Sequence, residues 1–498
     1  MAELRLLAVD LGAESGRGVV GAFDGERLRL DEVHRFPNVP VRLGGTLHWD
    51  FLRLFGDVLA CIGRAGEVAS LGVDGWGVDF GLLDGRGRLA GNPVHYRDGR
   101  TAGMLDRAQQ SLSAEAIYDT TGIQFLPINT LYQLLSMAAS ADPDLERAER
   151  LLLVPDLIHH FLCGSDVGEY TNATTTQCLD VRRGVWAADM LETLGIPARL
   201  FPPLVAPGTA LGPLLEDVAR DLNLAHAPLV LAPGTHDTAS AVAGTPLEVG
   251  GQTAYLSSGT WSLLGLELDQ PVLTHAAREA NLTNEGGVAG TIRLLRNIMG
   301  LWLVQEARRA LARPGEPAPA YAELSALAEQ APAHTAFVDP DDERFLRLRP
   351  GGLPQAVGDF CRETGQPVPA EPGTLLRVLF ESLALKSAWV LEQLERVAGR
   401  SVAAIRVVGG GAQNGLLCRL TAAATGRPVL AGPVEATGIG NLLVQAIGLG
   451  ALGSLGEGRE VVRRSFATET YEPHGDWTAA RARFRDLLGQ ARPAARSA

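Results

Sequence analysis

Apolar and polar positions alternate in blocks along the chain, and the blocks read as strands and helices in turn. Leu6-Leu7-Ala8-Val9 is an apolar run of buried-strand length, Asp10 to Gly16 is small and polar, and Val19-Val20-Gly21-Ala22-Phe23 is apolar again. Residues 5–30 therefore predict strand, tight turn, strand. Residues 253–268 repeat that shape: Thr253 to Leu256 lead in, Ser257-Ser258-Gly259-Thr260 turns, and Trp261 to Gly265 leaves. Two such hairpins about half a chain apart predict two related halves, with chance similarity as the alternative. Further strands are expected at 69–74, 151–155, 229–232 and 405–408. The clearest helix is 374–398, where Leu375, Leu376, Leu379, Leu383, Val390, Leu391 and Leu394 fall mainly on one face and Gly399 suits the position after the last turn. Another helix is expected from about Asn414. Residues 311–320 and 363–373 are proline-rich and read as surface loops, and the Ala/Arg-rich tail after about Gly489 reads as frayed. The alternation predicts an α/β fold.

The length of 498 residues allows about three domains or two large ones, and a chain of that size folds without metal or disulfide staples. A 46% hydrophobic and 20% charged composition excludes wholesale disorder. The net charge of −13 gives no basic excess for a nucleic acid and no basic face for a membrane surface. No apolar stretch spans a bilayer; Leu442 to Leu455 is the richest and is too short. The start of the chain carries Glu3, Arg5 and Asp10, which does not suit a signal peptide. Five cysteines without CxxC spacing suggest reduced thiols and a cytoplasmic protein. Of the 44 Lys and Arg residues a single one is lysine, Lys386, in a context that fits neither a Walker A loop nor a protein-kinase strand. Any nucleotide must then be held by backbone amides, arginine, hydroxyls and a metal.

Five segments carry candidate chemistry, and each also has a plain structural reading. The Asp10 to Arg17 turn is small enough for its amides to approach phosphate; Asp10 can hold Mg²⁺ and Arg17 can neutralise phosphate, or the segment is an ordinary hairpin. Gly234 to Val242 breaks a strand and starts a helix at Asp237. A carboxylate there, between His236 and Thr238, suits general-base work on a hydroxyl, or it caps the helix. Ser257 to Trp261 offers hydroxyls and amides to terminal phosphates, or is a hairpin turn. Gly409-Gly410-Gly411 lets an adenine or ribose approach closely, or is a structural turn. Leu71 to Phe80 alternates glycine, aspartate and tryptophan just past a strand end, where α/β proteins place substrates; the other reading is a core Trp76.

With these segments in order, the chain resembles the FGGY carbohydrate kinases, on the actin-like ATPase fold, from Ala8-Val9-Asp10-Leu11-Gly12-Ala13 to Gly432-Pro433-Val434-Glu435-Ala436. Within that family it is similar to the branch that phosphorylates L-rhamnulose. The stretches that carry this are Trp76-Gly77-Val78-Asp79-Phe80, Tyr96-Arg97-Asp98, Gly122 to Pro127, Glu169 to Gln177, His236 to Val242, Ala280 to Gly287 and Asn297 to Trp302. The resemblance implies two actin-like (ribonuclease H-like) α/β domains flanking a cleft, about 1–243 and 244–455, with 456–498 packing back. It implies ATP as co-substrate, Mg²⁺ near Asp10, and Asp237 as catalytic base. It implies sugar contacts from Gly77, His236, Asp237, Thr238 and Asn297, with Trp76 as an apolar face. The ATP contacts it implies are Ala13, Glu14, Ser15, Gly16, Arg17, Thr260, Gln305 and Gly410. Two positions depart from the family: Glu14 stands where a small hydroxyl residue is usual, and Gly75 where threonine is usual. Cysteine pairs of some relatives have no full counterpart, so no disulfide is expected. The expected partners are a small sugar and ATP, with no nucleic acid or membrane, in a monomer or weak homo-oligomer. The alternatives are a kinase for another ketose or glycerol, or a non-catalytic sugar or nucleotide sensor.

Overall fold

The structure, a computed structural model, describes residues 3–248, 250–312, 318–346, 348 and 351–490. It divides into two compact units. Of the described residues, the first comprises those within 3–251, 267–295 and 435–466, and the second those within 252–266, 296–434 and 467–490. The sequence reading draws a continuous 244–455, whereas the units interleave. The reason is packing. The helix Ala436–Gly448 lies on the first unit's sheet, where Gln445 Nε2 donates to the Leu7 carbonyl and Asn441 Nδ2 to the Gly72 carbonyl.

The first unit's sheet has six strands in the order Ala210–Pro213, Leu229–Leu231, Ser70–Gly75, Leu4–Leu11, Ser15–Phe23, Leu28–Pro37. The opening hairpin is antiparallel, and its first strand runs parallel to Ser70–Gly75, which runs parallel to Leu229–Leu231. The second unit repeats the scheme. Thr253–Ser258 pairs antiparallel with Trp261–Leu268 and parallel with Ala404–Val408; Val429–Ala431 follows in parallel, and Glu469–Tyr471 closes the edge antiparallel. The repeat legible in the two hairpins thus extends to three further strands of each sheet.

The central strands are buried apolar runs, and Leu6, Leu7, Ala8 and Val9 are almost fully enclosed. The helix Pro372–Ala398 starts two residues before the expected 374, with Pro372 in its first turn, where the missing N–H costs nothing. Its named apolar face is buried, and Gly399 ends it in the left-handed conformation at φ 67°. That face joins Phe337, Phe345, Phe360 and Phe484 in the core of the second unit. Lys386 lies inside this core, paired with Asp339 at 2.7 Å and Asp341 at 2.8 Å. One expected strand is cut short: Arg150–Leu153 is extended, but Val154 opens the helix Val154–Cys163 because Pro155 fits a first helical turn. Of the loop expected at 363–373, residues 364–371 connect the helix Leu353–Glu363 to the long helix, and its ends lie inside the two helices. Of the loop expected at 311–320, residues 313–317 lie outside the described residues, as does the tail from 491 on. Among the described residues no helix is long and apolar enough to cross a membrane. The five cysteines are free thiols.

Candidate active site

In the first unit three neighbouring parallel strands end side by side, and each leads to a carboxylate. Asp10 lies at the end of Leu4–Leu11 and is in register with Asp74 on Ser70–Gly75. Asp237 follows the bend after Leu229–Leu231 and opens the helix Asp237–Ala243. Ligand sites of open α/β sheets form at such carboxyl ends.

The three acids have different surroundings. Asp10 is buried, and one of its oxygens accepts from Arg17 Nε at 3.0 Å and Nη2 at 2.7 Å. The other guanidinium nitrogen meets Glu435 at 2.6 Å. Burial works against the charge of Arg17, but Asp10 and Glu435 outweigh it and raise its pKa. Asp74 is fully buried; that burial, with Asp10 beside it, pushes its pKa well up, against the pull of the Asn441 amide at 2.5 Å. Burial and the neighbouring acid both favour its neutral form. Its Oδ1 has no hydrogen-bond partner among the described residues. Burial also raises the pKa of Asp237, His236 opposes the rise, and Asp10 adds to it.

The Asp237 carboxylate is half-buried and oriented from two sides. Thr238 Oγ1 donates to its Oδ1 at 3.0 Å, and His236 Nε2 faces the same oxygen at 3.4 Å. The preceding bend is fastened by Glu169, whose Oε2 accepts from the Thr235 amide at 2.8 Å and the Thr235 hydroxyl at 2.9 Å. The Thr235 carbonyl in turn accepts from the Gly75 amide at 2.9 Å, which ties the bend to the Asp74 strand. The sequence assigns Glu169, Asp74 and Asn441 no role of their own, although Asp74 lies in the Leu71 to Phe80 segment and Glu169 opens a stretch that carries the resemblance. The pair Asn441 and Gln445, two amides one helical turn apart on an otherwise apolar helix, was the available sign of inward polar contacts.

Gly77 lies against Thr175: a Cβ there would come within 2.7 Å of the threonine hydroxyl. Val78 follows at φ 69°, a conformation that a β-branched residue adopts only when its surroundings force it. Here Val78 N–H donates to Thr175 Oγ1, and its carbonyl accepts from Thr130 Oγ1 at 2.6 Å. Trp76 is buried, its ring centroid 4.1 Å from that of Trp49. The indole N–H groups of both tryptophans donate to Asp79. The Asp10–Arg17 turn is closed by a Gly12 amide to Ser15 carbonyl bond, with Ala13 and Glu14 half-buried and Ser15 exposed. Gly16 packs under the Phe36 ring, 2.2 Å from where a Cβ would stand.

The second unit gathers Thr260, Gln305 and Gly410. The carbonyls of Gly259 and Thr260 accept from the amides of Gly300, Leu301 and Trp302, which fixes the hairpin to the start of the helix Trp302–Leu311 carrying Gln305. Gly409 and Gly411 close on Ser258 of the same hairpin. Gly409 has φ 79°, and a Cβ on Gly411 would lie 2.0 Å from the Ser258 hydroxyl. Gly410 between them is exposed and a Cβ on it would touch nothing. Asn297 sits on the strand Ile292–Met299, whose end is held by Asp341 accepting from the Met299 amide at 3.0 Å. The expected site residues thus fall into two groups, Asp10 to Arg17, Gly77 and His236 to Thr238 in the first unit, and Thr260, Asn297, Gln305 and Gly410 in the second.

Residues 6–244 match the FGGY family of carbohydrate kinases, N-terminal domain, and residues 254–449 match its C-terminal domain. The chain belongs to the FGGY family of carbohydrate kinases. It is 40% identical to a rhamnulokinase of Bacteroides thetaiotaomicron over 97% of this chain and 99% of that protein, and 42% identical to a rhamnulokinase of Pectobacterium carotovorum over 96% and 94%. Its fold matches a ligand-bound xylulose kinase of Lactobacillus acidophilus at TM-score 0.77, with 16% identity, 98% of this chain and 96% of that one. It also matches the glycerol kinase of Plasmodium falciparum with ADP at TM-score 0.73, with 16% identity, 98% and 97%. FGGY sugar kinases use ATP, typically with a divalent metal. Among the described residues no three His, Cys, Asp or Glu side chains form a metal cluster. Asp10, with the unpartnered Asp74 oxygen beside it, still fits Mg²⁺, which keeps several waters and takes one or two carboxylates plus substrate phosphates.

Proposed function

We propose that this FGGY kinase transfers the γ-phosphoryl group of ATP to the primary hydroxyl of L-rhamnulose, giving L-rhamnulose 1-phosphate and ADP. The observation that carries this reading is the 40% identity to a rhamnulokinase over essentially the full length of both chains. Asp237 is the general base. Both side chains that face it converge on Oδ1, so Oδ2 is the oxygen assigned to the acceptor hydroxyl. The hydroxyl gives its proton to Asp237, the oxygen bonds the γ-phosphorus, and the bond to ADP breaks in line. His236, Thr238, Gly77 and Asn297 contact the sugar, and Trp76 backs that pocket from the core. The Ala13 to Arg17 turn, Thr260, Gln305 and Gly410 contact ATP. Arg17, already bound to Asp10 and Glu435, acts chiefly by holding Asp10. Asp10 is the residue that would hold Mg²⁺, which when bound neutralises charge on the phosphate oxygens.

The test is ADP release with L-rhamnulose, L-fuculose, D-xylulose and glycerol. L-Rhamnulose should give the highest kcat/KM. Ketoses alike near the reacting carbon should follow within roughly 10–200-fold, and sugars that leave a polar group unpaired should be far worse. Equal or better turnover of xylulose or glycerol would overturn the sugar assignment and leave the family standing.

Gly410 gives a clean probe of the nucleotide side. It is exposed, and a side chain there has room, so Gly410→Val should fold like the wild type. The isopropyl group would occupy the place assigned to the adenosine. A calorimetric titration should show ATP binding weakened at least about tenfold, the effect of some 1.4 kcal/mol, with the affinity for the sugar nearly intact. Unchanged ATP affinity in the folded variant would remove Gly410 from the nucleotide site.

A further inference from the structure

The hairpin of Thr283–Gly286 and Ile292–Met299 places two charged residues behind His236, and neither is accounted for by the roles given above. Glu285 and Arg293 face one another across its strands. Arg293 is completely buried, and its Nη2 lies 3.2 Å from Glu285 Oε2. The same Nη2 lies 3.1 Å from His236 Nδ1, within hydrogen-bond geometry. Its Nε donates to the Gly286 carbonyl at 3.0 Å, which fixes the plane of the guanidinium.

A guanidinium has donors and no acceptor. An imidazole nitrogen bonded to it must offer a lone pair. With Nδ1 accepting, the hydrogen of the neutral ring sits on Nε2, the nitrogen that faces Asp237 Oδ1 at 3.4 Å. We infer that Arg293, charge-balanced by Glu285, is a positioning residue that holds His236 as the Nε2–H tautomer, so that its one N–H is directed at Asp237 and the acceptor hydroxyl. The other tautomer would turn a lone pair toward the Asp237 carboxylate and repel it. Glu285 lies 3.4 Å from His236 Nδ1 and would favour that wrong tautomer by accepting from Nδ1–H; Arg293, closer to Nδ1 and ion-paired with Glu285, takes that place.

The inference rests on the roles proposed for His236 and Asp237, and its test separates the two. The full-length enzyme is prepared with ¹⁵N in the histidine rings, and the His236 signals are identified by their loss in His236→Gln. In the wild type Nδ1 should resonate as an unprotonated nitrogen and Nε2 as a protonated one. The double variant Arg293→Met with Glu285→Leu removes both charges together, so no lone buried ion remains. It should show both tautomers, and its kcat per folded enzyme should fall about 10–100-fold, the range found for partners that orient metal-bound histidines, while KM for ATP stays unchanged. A protonated Nδ1 in the wild type would assign the ring to Glu285 and overturn the inference. So would full kcat in a folded double variant. If that variant does not fold, the wild-type spectrum decides alone. Failure of the wild type to phosphorylate any sugar would instead overturn the proposed function, and the tautomer would still be read.

Discussion

Asp237→Asn is expected to lower kcat by at least about 10²-fold, the low end of what a positioned base contributes. The substitution keeps the size of the side chain, and an amide oxygen can still accept from the Thr238 hydroxyl, so the start of the helix Asp237–Ala243 should stay in place. What is lost is basicity. The pH profile distinguishes this from a lost helix cap. Burial raises the pKa of Asp237 above the usual carboxylate value. The wild-type kcat/KM should therefore fall as pH drops through that raised pKa, since the protonated carboxyl cannot accept the sugar's proton. In the asparagine variant this acid limb should vanish and the residual rate should be flat there. ATP affinity should change little, because this side chain is not among the contacts proposed for ATP, the Ala13 to Arg17 turn, Thr260, Gln305 and Gly410. An asparagine variant that keeps half the wild-type turnover would reduce Asp237 to a cap.

The place of Asp237 at the start of a helix was legible because its signal is local. A strand ends, Pro233-Gly234 breaks it, and helix-forming residues follow within a few positions. Both hairpins and the long helix were legible for the same reason: turn residues and a sustained apolar face need no knowledge of distant partners. The residues that fasten the surroundings of Asp237 were of another kind. Glu169 meets Thr235 across 66 residues and Asn441 meets Asp74 across 367. Each is a single polar residue whose meaning depends on what the fold brings to it. Arg293 stands between apolar neighbours in the sequence, and yet it is fully buried, set there beside Glu285 and His236. Trp76 is the converse. Its place beside glycines past a strand end suggested a sugar-facing ring, but its N–H belongs to Asp79 and its face to Trp49. The interleaving of the two units had no local signal either, since it follows from where the helix Ala436–Gly448 finds an apolar sheet to cover.

That helix sets the largest expected effect on stability. Gly440→Ala should destabilise the protein by about 3 kcal/mol or more, the upper end for overpacking, and should lower kcat in whatever fraction folds. The helices Ala436–Gly448 and Asp237–Ala243 cross with backbone against backbone. A Cβ on Gly440 would stand 1.7 Å from the Ser240 carbonyl oxygen and 2.8 Å from the Gly244 nitrogen, and one on Gly244 would stand 2.2 Å from the Ala436 carbonyl oxygen. No rotamer relieves a clash with main-chain atoms, so the helices would have to part by roughly 1.5–2 Å to restore normal contact. Both are tied to the strand ends that carry the carboxylates. Ser240 Oγ donates to the Gly234 carbonyl at 2.7 Å, and Asn441 holds Asp74. The shift would reach Asp237 at the head of its helix, and a displacement of about 1 Å at a reacting group is enough for a 10²-fold loss. Gly438→Ala is the matched control on the same helix. Its Cβ would find only the Val19 side chain, at 3.9 Å, an ordinary contact. It should lie within about 1 kcal/mol of the wild type, the scale of the glycine-to-alanine difference in helix propensity. Urea midpoints and kcat for the two variants decide the matter. A Gly440→Ala protein that unfolds with the wild type would mean that the helices separate freely, and that the position of Asp237 does not depend on this glycine seam.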